Sequence, residues 1–285
     1  MFDVNTIAYS ELTTEFFEEE YNKYVARDMI THDVKGEVLI NGYTFNASSD
    51  DIFMQYKLWL TRPERLLGKK IEFDGTFEEL ADIYEELLVG AALAINEKSE
   101  SRLPFITFKS NMNRTLQWLR STDFYHAPAS TRYHDSFDGG LLLHSIQVYN
   151  NSIDLLKTDA FANVSLAEAT ISALVHDWCK IGFYEPYYRN VKDEKTGNWE
   201  KVIAYRRNPK GMTLGHGATS MYLASRCFSI SPEMASAIRW HMGEYNVAPN
   251  EMDELHKANA TYPLCYLLQF ADRLSCVDWN GGPIK

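Results

Sequence analysis

Six side chains have the types and order to hold a metal ion: His144, the adjacent pair His176-Asp177, His216, His241 and Asp272. Neighbouring residues on a helix lie about 100° apart around its axis. His176 and Asp177 can therefore both reach one ion while the apolar run at 169–175 faces the core. Imidazole nitrogen combined with carboxylate oxygen suits a divalent first-row transition ion (Mn, Fe, Co, Ni or Zn), whereas calcium and magnesium take oxygen shells. Activation of water is the chemistry such sites most often serve. A lone histidine is more often structural than a ligand, and His241, beside Ile238 and Trp240, also fits a core position.

Several helices must converge to bring these residues together. From Ser110 onward the apolar period predicts helices over roughly 110–122, 139–157, 165–181, 215–228, 231–243 and 260–278. Ser231 with Pro232 gives one start, and Gly243 can close that helix. The pair Gly139-Gly140 permits a tight approach just ahead of His144. Residues 1–105 read as a small accessory α+β region and residues 106–285 as the metal-bearing unit. In the former, 33–45 alternates around Asn41-Gly42 as a short hairpin, and 50–60 reads as a helix. Thr76 and Glu79 have capping-box spacing ahead of an apolar stripe through Phe77, Leu80, Ile83, Tyr84, Leu87 and Leu88.

One segment interrupts the helices. Two β-rich arms flank LysThrGlyAsn at about 184–208, predicting a β-hairpin inserted directly after the His-Asp pair. It carries Arg189, Lys192, Lys195, Lys201, Arg206, Arg207 and nearby Lys210 against Asp193, Glu194 and Glu200, interleaved with Tyr187, Tyr188, Trp199 and Tyr205. Cations beside aromatics suit phosphates and stacked bases; the alternative is a solvated hairpin whose lysines protect a strand edge.

The chain as a whole is acidic, with 39 Asp and Glu against 28 Lys and Arg and a formal net charge of -11. That argues against a general polyanion-binding surface, which needs clustered cations. A phosphate-bearing substrate must then be held locally. Cys179, Cys227, Cys265 and Cys276 lack zinc-ribbon or disulfide spacing. Cys179 and Cys265 read as buried free thiols, which implies a reducing compartment. No signal-peptide pattern opens the sequence, and the longest apolar run, 87–95, is too short to cross a bilayer. The expectation is a cytoplasmic protein without membrane contact, and homo-oligomerisation is compatible with it.

The segment from Phe124 to Ser145, the HisAspTrpCysLys stretch at 176–180 and PheAlaAspArgLeu at 270–274 resemble the HD-superfamily metal-dependent phosphohydrolases, over roughly residues 110–280. The resemblance implies a mainly α fold, an HD-domain helical bundle here carrying an inserted β-hairpin. It implies one ion held by His144, His176, Asp177 and Asp272. In two-metal members His216 and His241 would hold a second ion and Asp177 would bridge the pair. Asp177 would be catalytic, and Lys180 would assist with a metal-bound phosphate as a point charge. His134 would orient a ligand or touch substrate; where the family often has a second histidine, this chain has Asp135.

The function expected is an enzyme, a phosphohydrolase or phosphodiesterase using metal-activated water on a phosphate ester of a nucleotide or oligonucleotide. Arg189 and Arg206 are candidate phosphate clamps, with Tyr205 and His134 beside the substrate. The partner is then a phosphorylated small molecule, a nucleotide, or the end of a single-stranded nucleic acid. Two alternatives use the same ligands: an HD-fold di-iron oxygenase, and a regulatory module that binds a nucleotide without turnover.

Overall fold

The computed structural model describes residues 66–100, 103, 105–131, 134–192 and 196–277, together with three short strands between residues 30 and 46. The capping box at Thr76 forms as its spacing predicts. The Thr76 hydroxyl accepts the Glu79 N–H at 3.3 Å and the Glu79 carboxylate accepts the Thr76 N–H at 2.8 Å. They open α1, Phe77–Lys98. Leu80, Tyr84, Leu87 and Leu88 on its stripe are fully buried, while Phe77 stays partly exposed against Phe137.

Seven more helices follow: α2 (Phe105–Arg120), α3 (Gly140–Leu156), α4 (Leu166–Val175), α5 (His216–Ser225), α6 (Pro232–Trp240), α7 (Met252–Thr261) and α8 (Pro263–Ser275). The architecture is mainly α. Helix α3 packs against α4 and α8, α1 covers α4, and α6 lies between α5 and α8. Trp178, Tyr84, Tyr149 and Phe124 are the largest fully buried side chains.

The helices depart from their sequence expectations chiefly at three points. The stretch 165–181 is not one helix. α4 stops at Val175, Asp177 leaves helical geometry at φ -107 and ψ 17, and a single 3-10 turn covers Trp178–Lys180. The His-Asp pair therefore sits on a helix end, where its side chains can turn inward. α6 ends at Trp240 rather than Gly243, with His241 as its cap. α7 was not anticipated, because only Leu255 and Ala258 of its ten residues are buried and no apolar period stands out.

The hairpin forms as expected. Strand β4 (Tyr184–Lys192) pairs antiparallel with β5 (Trp199–Arg207) in unbroken register from Tyr184↔Arg207 to Lys192↔Trp199. Near the N-terminus, β1 (Ile30–His32), β2 (Glu37–Ile40) and β3 (Tyr43–Asn46) form an antiparallel sheet in that order, with Ile40 paired to Tyr43; the expected Asn41-Gly42 turn lies outside the described residues. The helix expected at 50–60, and the side chains of Arg132 and Lys195, lie outside the described residues. Among the described residues, no helix is long and apolar enough to cross a membrane.

Candidate metal centre

The six predicted ligands come from five places in the chain and meet in one buried cluster. His144 sits in the second turn of α3, His176 and Asp177 at the end of α4, and His216 is the first residue of α5. His241 caps α6, and Asp272 lies in the last turn of α8. Two glycines let the helices close on one another. A Cβ on Gly140 would lie 1.9 Å from the Asp135 carbonyl oxygen, and one on Gly217 would lie 2.1 Å from that of Arg239. Without side chains there, α3 can start hard against the 135 loop and α5 can press on the end of α6, bringing the His216 and His241 rings to 5.1 Å.

On one side of Asp177, its Oδ2 lies 3.4 Å from both His144 Nε2 and His176 Nε2. Asp272 Oδ1 completes the group, 3.2 Å from His144 Nε2 and 3.7 Å from His176 Nε2. Two donors at 2.0–2.2 Å from a tetrahedral ion stand about 3.4 Å apart, close to each of these spacings between His144, His176 and either carboxylate. On the other side, Asp177 Oδ1 lies 2.9 Å from His216 Nε2 and 3.5 Å from His241 Nε2. Among the described residues, the ligand atoms of His144, His176 and Asp177 all lie within 4.8 Å of one another, as do those of Asp177, His216 and His241, and those of His176, His241 and Asp272.

Ring orientation decides whether they fit an ion. His176 Nδ1 is 2.7 Å from the Ala173 carbonyl and His241 Nδ1 is 2.8 Å from the Ile238 carbonyl. A carbonyl only accepts, so both Nδ1 atoms carry the proton and both Nε2 atoms face the carboxylates. Ser275 fixes His144 by a related argument. Its hydroxyl donates to the Asp272 carbonyl at 2.6 Å, so at 3.2 Å it accepts the proton of His144 Nδ1. The Nε2 atoms of His144 and His176 are then left 3.2 Å apart, and His241 Nε2 is buried without a hydrogen-bond partner. Nitrogen lone pairs aimed at one another and at carboxylate oxygens require positive charge between them. An ion bound through Nε2, with Nδ1 held by an outer acceptor, meets that requirement.

The charges point the same way. Burial opposes an imidazolium at His176, yet Asp177 and Asp272 push this residue up to about 10; His216 is likewise pushed up to about 10 against burial, by Cys179 and Asp177. Burial opposes a charged Asp177, but Lys180 and His176 hold it well below the usual carboxylate range. His144 and His176 do the same for Asp272. The cluster collects positive charge, as protons or as metal.

Lys180 is buried and forms an ion pair with Asp177. A solvent-facing lysine at a helix end is thereby excluded. His134 also reaches the cluster, its ring 4.8 Å from that of His144; burial, with His144 and Lys180, lowers it to about 4. Beside it Asp135 is buried at φ 45, with Oδ2 lacking a hydrogen-bond partner. The hairpin residues are placed differently. Arg206 is held by Glu185 at 2.7 Å, and Arg189, in register with Val202, is exposed on that same face of the hairpin. Tyr205 lies on the opposite face. His126 and His256 are surface histidines beside Asp138 and Glu244.

Sequence reasoning passed over three contributors. Cys179 Sγ lies 3.1 Å from His216 Nδ1, and Cys276 Sγ lies 3.7 Å from His134 Nε2, so two of the four free cysteines border the centre. Ser275 was also missed, although it stands one helical turn after Asp272, which was the available signal. Comparison of this chain with protein-family models, with curated proteins and with solved structures finds no match.

Proposed function

We propose that the protein is a metal-dependent phosphohydrolase of the HD type that cleaves a phosphate ester, with a nucleotide or oligonucleotide as substrate. The observation that carries this reading is the division of Asp177. One carboxylate oxygen faces His144 and His176, and the other faces His216 and His241. A carboxylate placed so would bridge two ions, with His144, His176 and Asp272 completing one set and His216 and His241 the other.

Divalent ions there would supply charge against the developing phosphate negativity and water of lowered pKa. The chain's own residues supply the rest. Lys180 keeps its ammonium charge beside Asp177 and offers it to a phosphate oxygen. His134, uncharged at neutral pH, can accept or donate a hydrogen bond without adding net charge. In the net reaction the oxygen of water joins phosphorus, the ester P–O bond breaks, and the leaving oxygen departs with a proton.

Elemental analysis of the purified protein, combined with a screen of nucleotides and simple aryl phosphodiesters under added Mn, Co, Ni, Zn and Fe, tests this reading. Metal-dependent release of the alcohol or phosphate, abolished by Asp177→Ala, supports it. Bound iron with oxygen consumption would instead assign a di-iron oxygenase. Nucleotide binding that survives Asp177→Ala, with no turnover by the native protein, would assign a regulatory module.

A further inference from the structure

The two faces of the β4–β5 hairpin differ in charge. Alternate residues of a strand point to opposite faces, and the register fixes which share one. Glu185 and Glu200 fall on the same face as Arg189 and Arg206, where Arg206 pairs with Glu185 and lies over the Tyr187 ring. The other face carries Lys192, Lys201 and Arg207, and no described residue of either strand adds a carboxylate to it. It also carries Tyr184, Tyr188, Trp199 and Tyr205.

Two of its aromatics stand open. Trp199 is 70% exposed, Tyr188 64% and the intervening Ile203 57%, while Lys201 Nζ sits 4.4 Å from the centre of the Tyr188 ring. Large apolar side chains left in water across a strand pair mark an interaction surface more than a solvated edge. Nine residues per strand give a track about 30 Å long. At its root, β4 begins four residues after Lys180, and the Phe183 N–H donates to the Lys180 carbonyl at 3.1 Å. The track therefore starts beside the candidate metal centre and runs out to the hairpin tip.

We infer that this face binds single-stranded nucleic acid, stacking bases on Trp199 and Tyr188, neutralising phosphates with Lys192, Lys201 and Arg207, and leading the strand to the metal centre. The inference rests on the phosphohydrolase reading only for what happens at the end of the track; binding along it stands on its own. A local excess of cations without acids, in a chain of net charge -11, selects a polyanion, and the exposed rings select unstacked bases over a duplex.

Fluorescence anisotropy of the full-length protein with a labelled 16-mer of mixed sequence, as single-stranded DNA, single-stranded RNA and duplex DNA, tests this. The single strands should bind at least ~10-fold tighter than the duplex, and comparison of DNA with RNA identifies the natural sugar. Trp199→Ala and Tyr188→Ala should each weaken binding by about 5- to 100-fold, while Val191→Ala on the opposite face should leave it within about 2-fold. The double variant Lys192→Ala/Lys201→Ala should reduce the slope of log K against log salt by about 1.4. No binding at ~50 mM salt, equal affinity for the duplex, or native affinity in the Trp199 and Tyr188 variants overturns the inference. So does a dimer that Trp199→Ala dissociates in sedimentation without changing anisotropy, since the face would then serve self-association. Turnover of small phosphodiesters is measured separately. Turnover without strand binding sinks the track alone, and strand binding without turnover sinks the hydrolase alone.

Discussion

Tyr84 of α1 accepts the indole N–H of Trp178 at 2.9 Å and donates its own hydroxyl proton to the Leu174 carbonyl at 2.8 Å. One buried phenol thus spans the His176-Asp177 pair, gripping the chain two residues before it and one residue after. Tyr84→Phe leaves a buried carbonyl and a buried N–H without that partner, and should destabilise the fold by ~1–3 kcal/mol. Because the pair between them loses its clamp, metal affinity should fall as well. Urea unfolding with and without chelator measures both; unchanged affinity would show that the ligand turn holds itself.

Metal binding should release protons. In the metal-free protein the carboxylates, with Cys179 at His216, overcome burial and hold His176 and His216 at about 10, above the ordinary 6.5. Both then carry Nε2 protons at pH 7, and an ion must displace them. Calorimetric titration in two non-coordinating buffers of different ionisation enthalpy should report release of about two protons. The sign for stability follows. These raised histidines stabilise the metal-free fold fully below about 6.5, and that contribution disappears as pH rises through about 10. The depressed Asp177 and Asp272 contribute above their ordinary value and lose it as pH falls. The Tm of chelated protein should decline from pH 7 to 10, whereas the metal-loaded protein should change little. Metal affinity should weaken progressively as pH falls below about 10, because each of these two protons competes with the ion, and activity should fall once the ion is displaced.

The two carboxylates should not be equivalent. Asp272→Asn removes a donor from one set, while Asp177→Asn removes the donor both sets share. Metal stoichiometry by elemental analysis after dialysis should fall from two to about one in the first variant and to about zero in the second. Equal losses would contradict the bridging role. Ser275→Ala frees the His144 ring without removing a ligand, and should weaken metal binding by about 10- to 100-fold.

Lys180→Met separates a structural role from a chemical one. It leaves buried Asp177 without its cation, so the metal-free fold should lose ~3–5 kcal/mol. An ion at Asp177 should recover most of that loss. If the ammonium also contacts phosphate, kcat/KM of the metal-loaded variant should still drop about 100-fold, with its Tm near native. Recovery of both would confine Lys180 to structure.

Much of the framework was legible because it is local. The capping box at Thr76, the Ser231-Pro232 start and the alternating arms around LysThrGlyAsn each state their structure within a few residues. The six candidate ligands were legible by type and order, and all six come together. The details that orient them were not. His176 and His241 are held by backbone carbonyls of Ala173 and Ile238, groups that every residue carries. Cys179 faces His216 from the 3-10 turn that follows the end of α4 at Val175, and no local motif in the sequence marks that end. The polar α7 gave no period because almost nothing in it is buried.

The break after Val175 and the similar end of α6 aim two helix C-termini at the same point. Each carries a partial negative charge, which attracts cations and repels anions. Both ends therefore favour a cationic occupant: in the ion-free protein the protons on His176 and His216 fill that role, and a bound ion would take it over.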